Sequence, residues 1–407
     1  MQTQQRDLVI AGARVFDGRS EQVAENQGVW VSGDRIRRVG PVDEVLREAS
    51  TAADPRVLDA AGATVVPGLI NMHVHLDLAL PGDLARVAML DDPALALHMA
   101  EEARLSLLAG VTSVRLTGTY GHIDFALRDS IDSGRTLGPR IFTAGQLVCS
   151  TGGHGWQRSR EADGPAGFAA AVRDQIKHGA DFIKLSLSGG MAGEHEKVTT
   201  SQLRDDELDA VLEIAHAWGR KVTAHAGPAI PTMEAIRRGL DCVEHGYELT
   251  DELCRLMVER GVTYVPTITV TRCREFFDRH RMPVWMQDRA LAWGDRHWES
   301  LETAIRHGVS IALGSDMPPH AEFDGTSATV RELEFMVQAG MTPHAALTAA
   351  TSTGADWLGK GAMIGCVREG AFADLLLVAG DPLADISAMR ELSLIVKGGR
   401  TVLDQHA

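Results

Sequence analysis

Two histidines, His73 and His75, close the apolar run Pro67-Gly68-Leu69-Ile70-Asn71-Met72. On a strand, residues two apart face the same side, so both imidazoles point at one place. Neutral imidazoles converging at the mouth of a buried strand are the start of a zinc-type site. Alone, the pair is weak evidence and reads more readily as two polar residues at a strand end. Its weight comes from further candidate ligands at the ends of other expected strands. His225 follows Val222-Thr223-Ala224, His245 follows Cys242-Val243-Glu244, and Asp316 closes Ile311-Ala312-Leu313-Gly314-Ser315.

Lys184 interrupts the apolar stretch Phe182-Ile183-Lys184-Leu185. A buried lysine is costly unless it is paired or loses its charge. Two readings stay open at this point. The side chain snorkels from a strand end, or carbon dioxide has carbamylated it into a carboxylate able to bridge two metal ions. Four histidines, a lysine and an aspartate at five strand ends form a set that chance does not readily assemble.

The remaining histidines divide by position. His154, in the glycine-rich loop Ser150-Thr151-Gly152-Gly153-His154-Gly155, faces the expected pocket mouth and is a candidate substrate contact. His195 and His320 lie in loops after the fourth and eighth strands and are weaker candidates. His98, His178, His216, His307 and His344 fall in or at the ends of expected helices, where solvent exposure explains them. The sequence has no P-loop, no G-x-G-x-x-G after the first strand and no G-x-S-x-G elbow, which disfavours phosphate cradling and serine nucleophiles.

The elements that must position these residues are announced by a recurring glycine. His178-Gly179 leads into Ala180–Leu185, Trp218-Gly219 into Lys221–His225, Arg238-Gly239 into Leu240–His245, and His307-Gly308 into Val309–Leu313. Ala109-Gly110 and Arg260-Gly261 repeat the pattern. Each glycine suits the left-handed position that ends a helix. With Ala63–Ile70 and Pro139–Ala144, eight short strands alternate with helices. That pattern predicts an α/β chain with a parallel sheet closed into a (β/α)₈ TIM barrel over residues 63–364. Polar residues at the C-terminal ends of barrel strands build active sites, which is where the candidates fall. Residues 1–62 and 365–407 read instead as hairpins with Gly-Asp and Asp-Gly turns, expected to pair into one small β-sandwich.

Composition excludes several classes. The formal charge of −15, with no Lys/Arg cluster, argues against nucleic acid or an anionic membrane as partner. No apolar stretch reaches the roughly 18 residues of a membrane span. The first residues lack the layout of a signal peptide, and the five scattered cysteines read as reduced thiols, so the cytoplasm is the expected compartment. A small-molecule substrate is the expected partner, and exposed sheet edges permit a homo-oligomer.

Taken together, the motifs resemble the amidohydrolase superfamily over nearly the full length. They are Pro67-Gly68-Leu69-Ile70-Asn71-Met72-His73-Val74-His75, the Lys184 strand, Ala224-His225-Ala226, Glu244-His245-Gly246, Gly314-Ser315-Asp316, Ala349-Ala350-Thr351 and Gly370-Ala371-Phe372-Ala373-Asp374-Leu375. The resemblance implies two divalent ions, Zn²⁺ by expectation. His73 and His75 would hold the more buried ion with Asp316, His225 and His245 the other, and N-carboxylated Lys184 would bridge. Within the superfamily, Gly145 to Gly155, Ser188-Gly189-Gly190 and the Glu244-His245-Gly246 neighbourhood are similar to the imidazolonepropionase-like group. That group includes Xaa-Pro dipeptidases and ochratoxin-hydrolysing amidases.

Two departures matter. Several of those peptidases carry a tyrosine two residues after the strand-five histidine, where this chain has Gly227; Tyr247, two after His245, is the candidate replacement as a substrate contact. Deaminases of the superfamily place a glutamate three residues after that histidine, where this chain has Pro228, which cannot shuttle protons. The implied function is hydrolysis of an amide, peptide-like or N-acyl amino acid, by a metal-bridged hydroxide, with Asp316 as general base and then acid. The alternative is hydrolysis of a lactone, cyclic imide, ureide or ester on the same centre. A non-catalytic metal-binding homologue is the remaining class.

Overall fold

The computed structural model describes residues 6–406; residues 1–5, read above for a leader, and residue 407 lie outside them. The chain divides into two compact units. The first takes in the chain up to Ile70, Ser106–Ser113 and the chain from Met341; the second is Asn71–Leu105 with Val114–Gly340.

The first unit is built on one eight-stranded sheet that joins both ends of the chain. Its order is Arg400–Asp404, Leu392–Lys397, Leu375–Val378, Thr64–Pro67, Leu8–Val15, Ala24–Ser32, Arg35–Pro41, with Arg56–Asp59 also on Leu8–Val15. The two chain ends pair in a single continuous sheet. Register breaks at Ala11/Ala13, Trp30/Val31 and Ile395/Val396 are bulges, which bend a sheet. As a result Val31 and Ile36 from one edge share a buried cluster with Leu394 and Val396 from the other. On the opposite face, Val9 and Trp30 pack against Val45 and Ala49 of the Val42–Ala49 helix.

The strand expected over Ala63–Ile70 is two strands. Thr64–Pro67 belongs to the end sheet and Leu69–Val74 begins the next. The break is at Gly68, whose amide donates to the Asp374 carbonyl at 2.8 Å. The Thr112 side chain occupies the space a Cβ at Gly68 would need, so only glycine fits there.

In the second unit six strands pair in parallel: Arg160–Glu161, Val148–Cys149, Ile183–Ser186, Val222–Ala226, Cys242–His245 and Thr263–Val265. Leu69–Val74, Val111–Leu116 and Arg140–Thr143 form a three-stranded sheet. Backbone bonds join the two sheets at both edges. Asp181 donates to Thr143 at 2.8 Å, Tyr264 donates to Ser310 at 2.8 Å, and Met72 donates to Leu313 at 2.8 Å. The expected strand Val309–Leu313 is reduced to these bonds and a single bridge, Tyr264 to Ile311.

Helices separate the parallel strands, among them Gly164–His178, Asp205–Ala217, Ala229–Arg238, Asp251–Arg260 and Gly294–His307. Gly179 at φ 100° and Gly308 at φ 72° end two of them in the left-handed conformation expected of the recurring glycine. All five cysteines are free and buried. Among the described residues, no helix is long and apolar enough to cross a membrane.

Candidate metal centre and pocket

The Leu69–Val74 strand is buried throughout and delivers His73 at its end, with His75 one residue past it. His73 Nε2 and His75 Nε2 each lie 3.3 Å from Asp316 Oδ1. One ligand atom from each of these three residues falls within 4.8 Å of the other two. His225 and His245 stand beside them: ring centroids are 4.5 Å apart for that pair and 4.9 Å for His73 and His245. The sequence-predicted ligands therefore come together on one wall.

Neighbouring residues of a strand face opposite ways, yet Glu244 and His245 both reach His73. The break in alternation is a left-handed backbone at His245, φ 66°; Asp316, φ 54°, shares it. L-residues adopt that region at a cost, and such strain concentrates at functional sites.

The ring nitrogens that face inward are set by what holds the others. Glu244 Oε2 accepts from His73 Nδ1 at 2.8 Å. Burial alone would raise the Glu244 carboxyl, but Arg115, then Lys184 and His73, hold it well below the usual carboxylate range. It stays an acceptor, so His73 Nε2 keeps a lone pair toward Asp316. His75 Nδ1 donates to the Gly118 carbonyl at 3.0 Å, which turns its Nε2 toward Asp316 and the Thr117 hydroxyl, each at 3.3 Å. His225 Nε2 donates to the Gly189 carbonyl at 3.1 Å, which frees its Nδ1. His245 Nδ1 pairs with the Thr267 hydroxyl at 2.7 Å. Fixing a ligand imidazole through its second nitrogen is the usual arrangement around a metal.

Charge states agree with that role. Burial, then Lys184, brings His73 down to about 4, and burial pushes His225 and His245 well below the ordinary imidazole value. All three are neutral, the form that ligates. Burial also pulls His75 down, but Asp316 more than compensates and raises it. Lys184 Nζ is buried with no hydrogen-bond partner, and burial lowers it to about 8. An orphaned amine among inward lone pairs and the Asp316 carboxylate fits a divalent metal site.

Above this wall lies a cavity of about 420 Å³. One side is apolar, with Leu78, Leu80, Met191, Val270, Phe277 and Met286. His154 lines the cavity as well. Its ring stacks on His225 at 4.0 Å and 25°, and its Nδ1 lies 2.7 Å from Glu196 Oε2. Glu196 also accepts the Gly190 amide at 2.7 Å. Tyr247 lines the pocket too, its ring parallel to His245 at 5.5 Å and 8°. A Cβ at Gly227 would fall 2.8 Å from Val198 Cγ1 and 3.2 Å from Tyr247 Cδ2. The space of the missing side chain is thus filled by Val198 and Tyr247.

His320 is not among the residues lining the cavity, which corrects the expectation for it. Its Nε2 is 3.7 Å from Glu102 Oε2, on the Asp92–Leu108 helix. Arg158 lines the pocket, held by Asp77 at 3.4 Å, whereas Arg160 and Arg272 do not. Arg160 lies 3.9 Å from Asp174, and Arg272 covers Trp298 at 4.3 Å. Sequence reasoning missed Arg115, Glu196, Glu244 and Thr267 as supports of the site. A charged residue inside an apolar strand is the signal that singled out Lys184, and Arg115 and Glu244 carry the same signal.

The chain is similar to known proteins over nearly its full length. The model of the amidohydrolase family matches residues 64–402. Ochratoxinase of Aspergillus niger is 30% identical over 458 aligned positions, covering 98% of this chain and 90% of that protein. A crystal structure of a Xaa-Pro dipeptidase with methionine bound in its active site has a TM-score of 0.85 at 29% identity, covering 97% of this chain and 99% of that one. A prolidase complexed with N-methylphosphonate-L-proline has a TM-score of 0.88 at 27% identity, covering 98% and 100%. The chain belongs to the amidohydrolase family and is a hydrolase of carbon–nitrogen bonds.

Proposed function

We propose that this enzyme hydrolyses the amide bond of a peptide-like or N-acyl amino acid substrate at a binuclear centre. The single observation that carries the reading is the orphaned Lys184 amine among His73, His75, His225, His245 and Asp316. His73, His75 and Asp316 would hold one ion, His225 and His245 the second, with Lys184, N-carboxylated, between them. Zinc suits this imidazole and carboxylate set. When bound, such ions would acidify a water and polarise the scissile carbonyl.

The residues do the rest. Asp316 accepts the proton of the attacking water as its oxygen bonds to the carbonyl carbon. The same carboxyl then gives that proton to the leaving nitrogen as the C–N bond breaks, so an acid and an amine depart. Glu244 and Gly118 keep the His73 and His75 rings in register through both steps. His154, steadied by Glu196, faces the substrate beside His225, and the apolar wall around Phe277 and Met286 receives a hydrophobic side chain. The parallel strands and the three edge bonds that link their two sheets support a closed (β/α)₈ barrel beneath the site. Relatives named ochratoxinase and prolidase support the amide as substrate.

The test is a turnover screen of the zinc-loaded enzyme on N-acyl amino acids, Xaa-Pro dipeptides and lactones. Amide cleavage that chelation abolishes and zinc restores is the expected result. Turnover of lactones with no amide cleaved would overturn the proposal.

A further inference from the structure

Away from the pocket, a second group of side chains is arranged for a metal. His122, Asp174 and His178 each place one ligand atom within 4.8 Å of the other two. His178, read from sequence as an exposed helix end, and Asp174 are one turn apart on the Gly164–His178 helix. His122 comes from the segment after the Val111–Leu116 strand and holds a left-handed backbone, φ 58°. The two imidazoles stack, with centroids 3.9 Å apart and planes 22° from parallel.

What fixes each ring is more telling than its nearness. Gln175 Oε1 accepts the backbone amide of Gln146 at 2.9 Å, so the amide oxygen of Gln175 is placed as an acceptor. His122 Nε2, 2.9 Å from that same oxygen, must therefore carry its proton, and Nδ1 keeps the lone pair. His178 Nδ1 donates to the Asp174 carbonyl at 2.8 Å, which leaves the lone pair on Nε2. Two imidazoles, each held through one nitrogen by a carbonyl oxygen, stand beside a carboxylate, with Asp174 Oδ1 3.7 Å from His178 Nδ1. Gln175 is fully buried, so the lock on His122 is rigid, while the His178 side chain, 37% exposed, has room to turn its ring toward an ion.

We propose that His122, Asp174 and His178 form a separate divalent transition-metal site, with water completing the shell. Two imidazoles and one carboxylate suit zinc, cobalt, nickel or copper rather than magnesium or calcium. The ion would tether the segment Thr117–His122 to the Gly164–His178 helix. Gly118, in that segment, supplies the carbonyl that holds His75, so occupancy reaches the pocket through one backbone unit.

The experiment uses the full chain with its pocket ions already loaded and excess metal removed. Zn²⁺ is then titrated by calorimetry and bound zinc is counted by elemental analysis. The wild-type chain should take up one ion more than the His122→Ala/His178→Ala double variant, and Asp174→Asn should weaken that ion by more than the roughly tenfold an outer-shell change costs. Where circular dichroism shows that the double variant does not fold, His178→Ala alone carries the comparison, since that side chain is partly exposed at a helix end. Equal zinc content and equal affinity in wild type and the folded variants would overturn the site.

Discussion

Glu244 accepts a 2.8 Å hydrogen bond from His73, and that bond decides which nitrogen of His73 looks at Asp316. The carboxylate is fully buried and is gripped from its other oxygen by Arg115 and Thr223. A charged pair sealed beneath the site thus orients a neutral ligand above it.

Replacing Glu244 by glutamine should therefore act through the metal. The amide can present its NH₂ to His73 and invert the tautomer. We expect metal affinity and kcat/KM to fall about 10–100-fold together. Elemental analysis after dialysis, beside kinetics at saturating zinc, checks this. Normal metal content with normal turnover would show that the bond is only structural.

Asp316→Asn removes the proton acceptor while keeping shape. Turnover should drop by about 10²–10⁴-fold, with the thermal midpoint little changed in metal-loaded protein. A variant retaining more than a tenth of wild-type kcat would exclude Asp316 from proton transfer.

Lys184 is the most economical test of carboxylation. Its amine is pushed down to about 8, so a reactive neutral fraction exists at mildly alkaline pH. Growth or reconstitution with ¹³C-bicarbonate should give one carbamate signal by NMR, absent in Lys184→Ala. Loss of a bridging ligand should cost that variant about 100-fold or more in activity, beyond what an outer-shell residue costs. A wild-type spectrum without the signal would leave an ordinary lysine.

Gly190→Ala tests His154 without touching it. A Cβ at that position would collide with the His154 ring. We expect the variant to fold and bind metal normally, and to lose kcat/KM by about tenfold, mainly through KM, as uniform binding is lost. Unchanged KM would remove His154 from substrate contact.

Stability should also report on Glu102. Burial and the neighbouring Glu101 push its carboxyl up to about 7. Below the unfolded value of 4.5 both states keep the proton; above it the unfolded chain releases first, so stability falls as pH rises from there to about 7. The loss is at most on the order of 3 kcal/mol. Glu102→Gln should match wild type near pH 4 and exceed it at pH 8. Melting curves of both proteins across that range decide it, and a constant gap would refute the shift.

Much of this site is legible in the sequence because ligands at strand ends betray themselves. His73, His225, His245 and Asp316 each follow an apolar run, and the glycines at 179 and 308 mark where the chain turns back to a strand. Lys184 stands out because a charge inside an apolar strand is anomalous. What stays hidden depends on partners distant in sequence. Nothing near Glu244 says that Arg115 neutralises it, and nothing near His154 names Glu196. His320 misleads for the same reason, since the loop after Asp316 turns its ring toward Glu102 rather than the cavity. The bends in the end sheet stay hidden too, because bulges are invisible to strand periodicity, which counts alternation and not bending.

The strand Thr64–Pro67 has its neighbour Leu8–Val15 on one side and Leu375–Val378 on the other. On the ribosome the first partner is already there, and the second emerges about 300 residues later, a delay of ~15–60 s at about 5–20 residues per second. Through that interval a buried-type strand rich in valine has an open edge, a template for pairing with another nascent chain. The protein's exposure to aggregation is accordingly greatest before synthesis ends, and chaperone demand should follow translation speed through the intervening codons more closely than the stability of the finished fold.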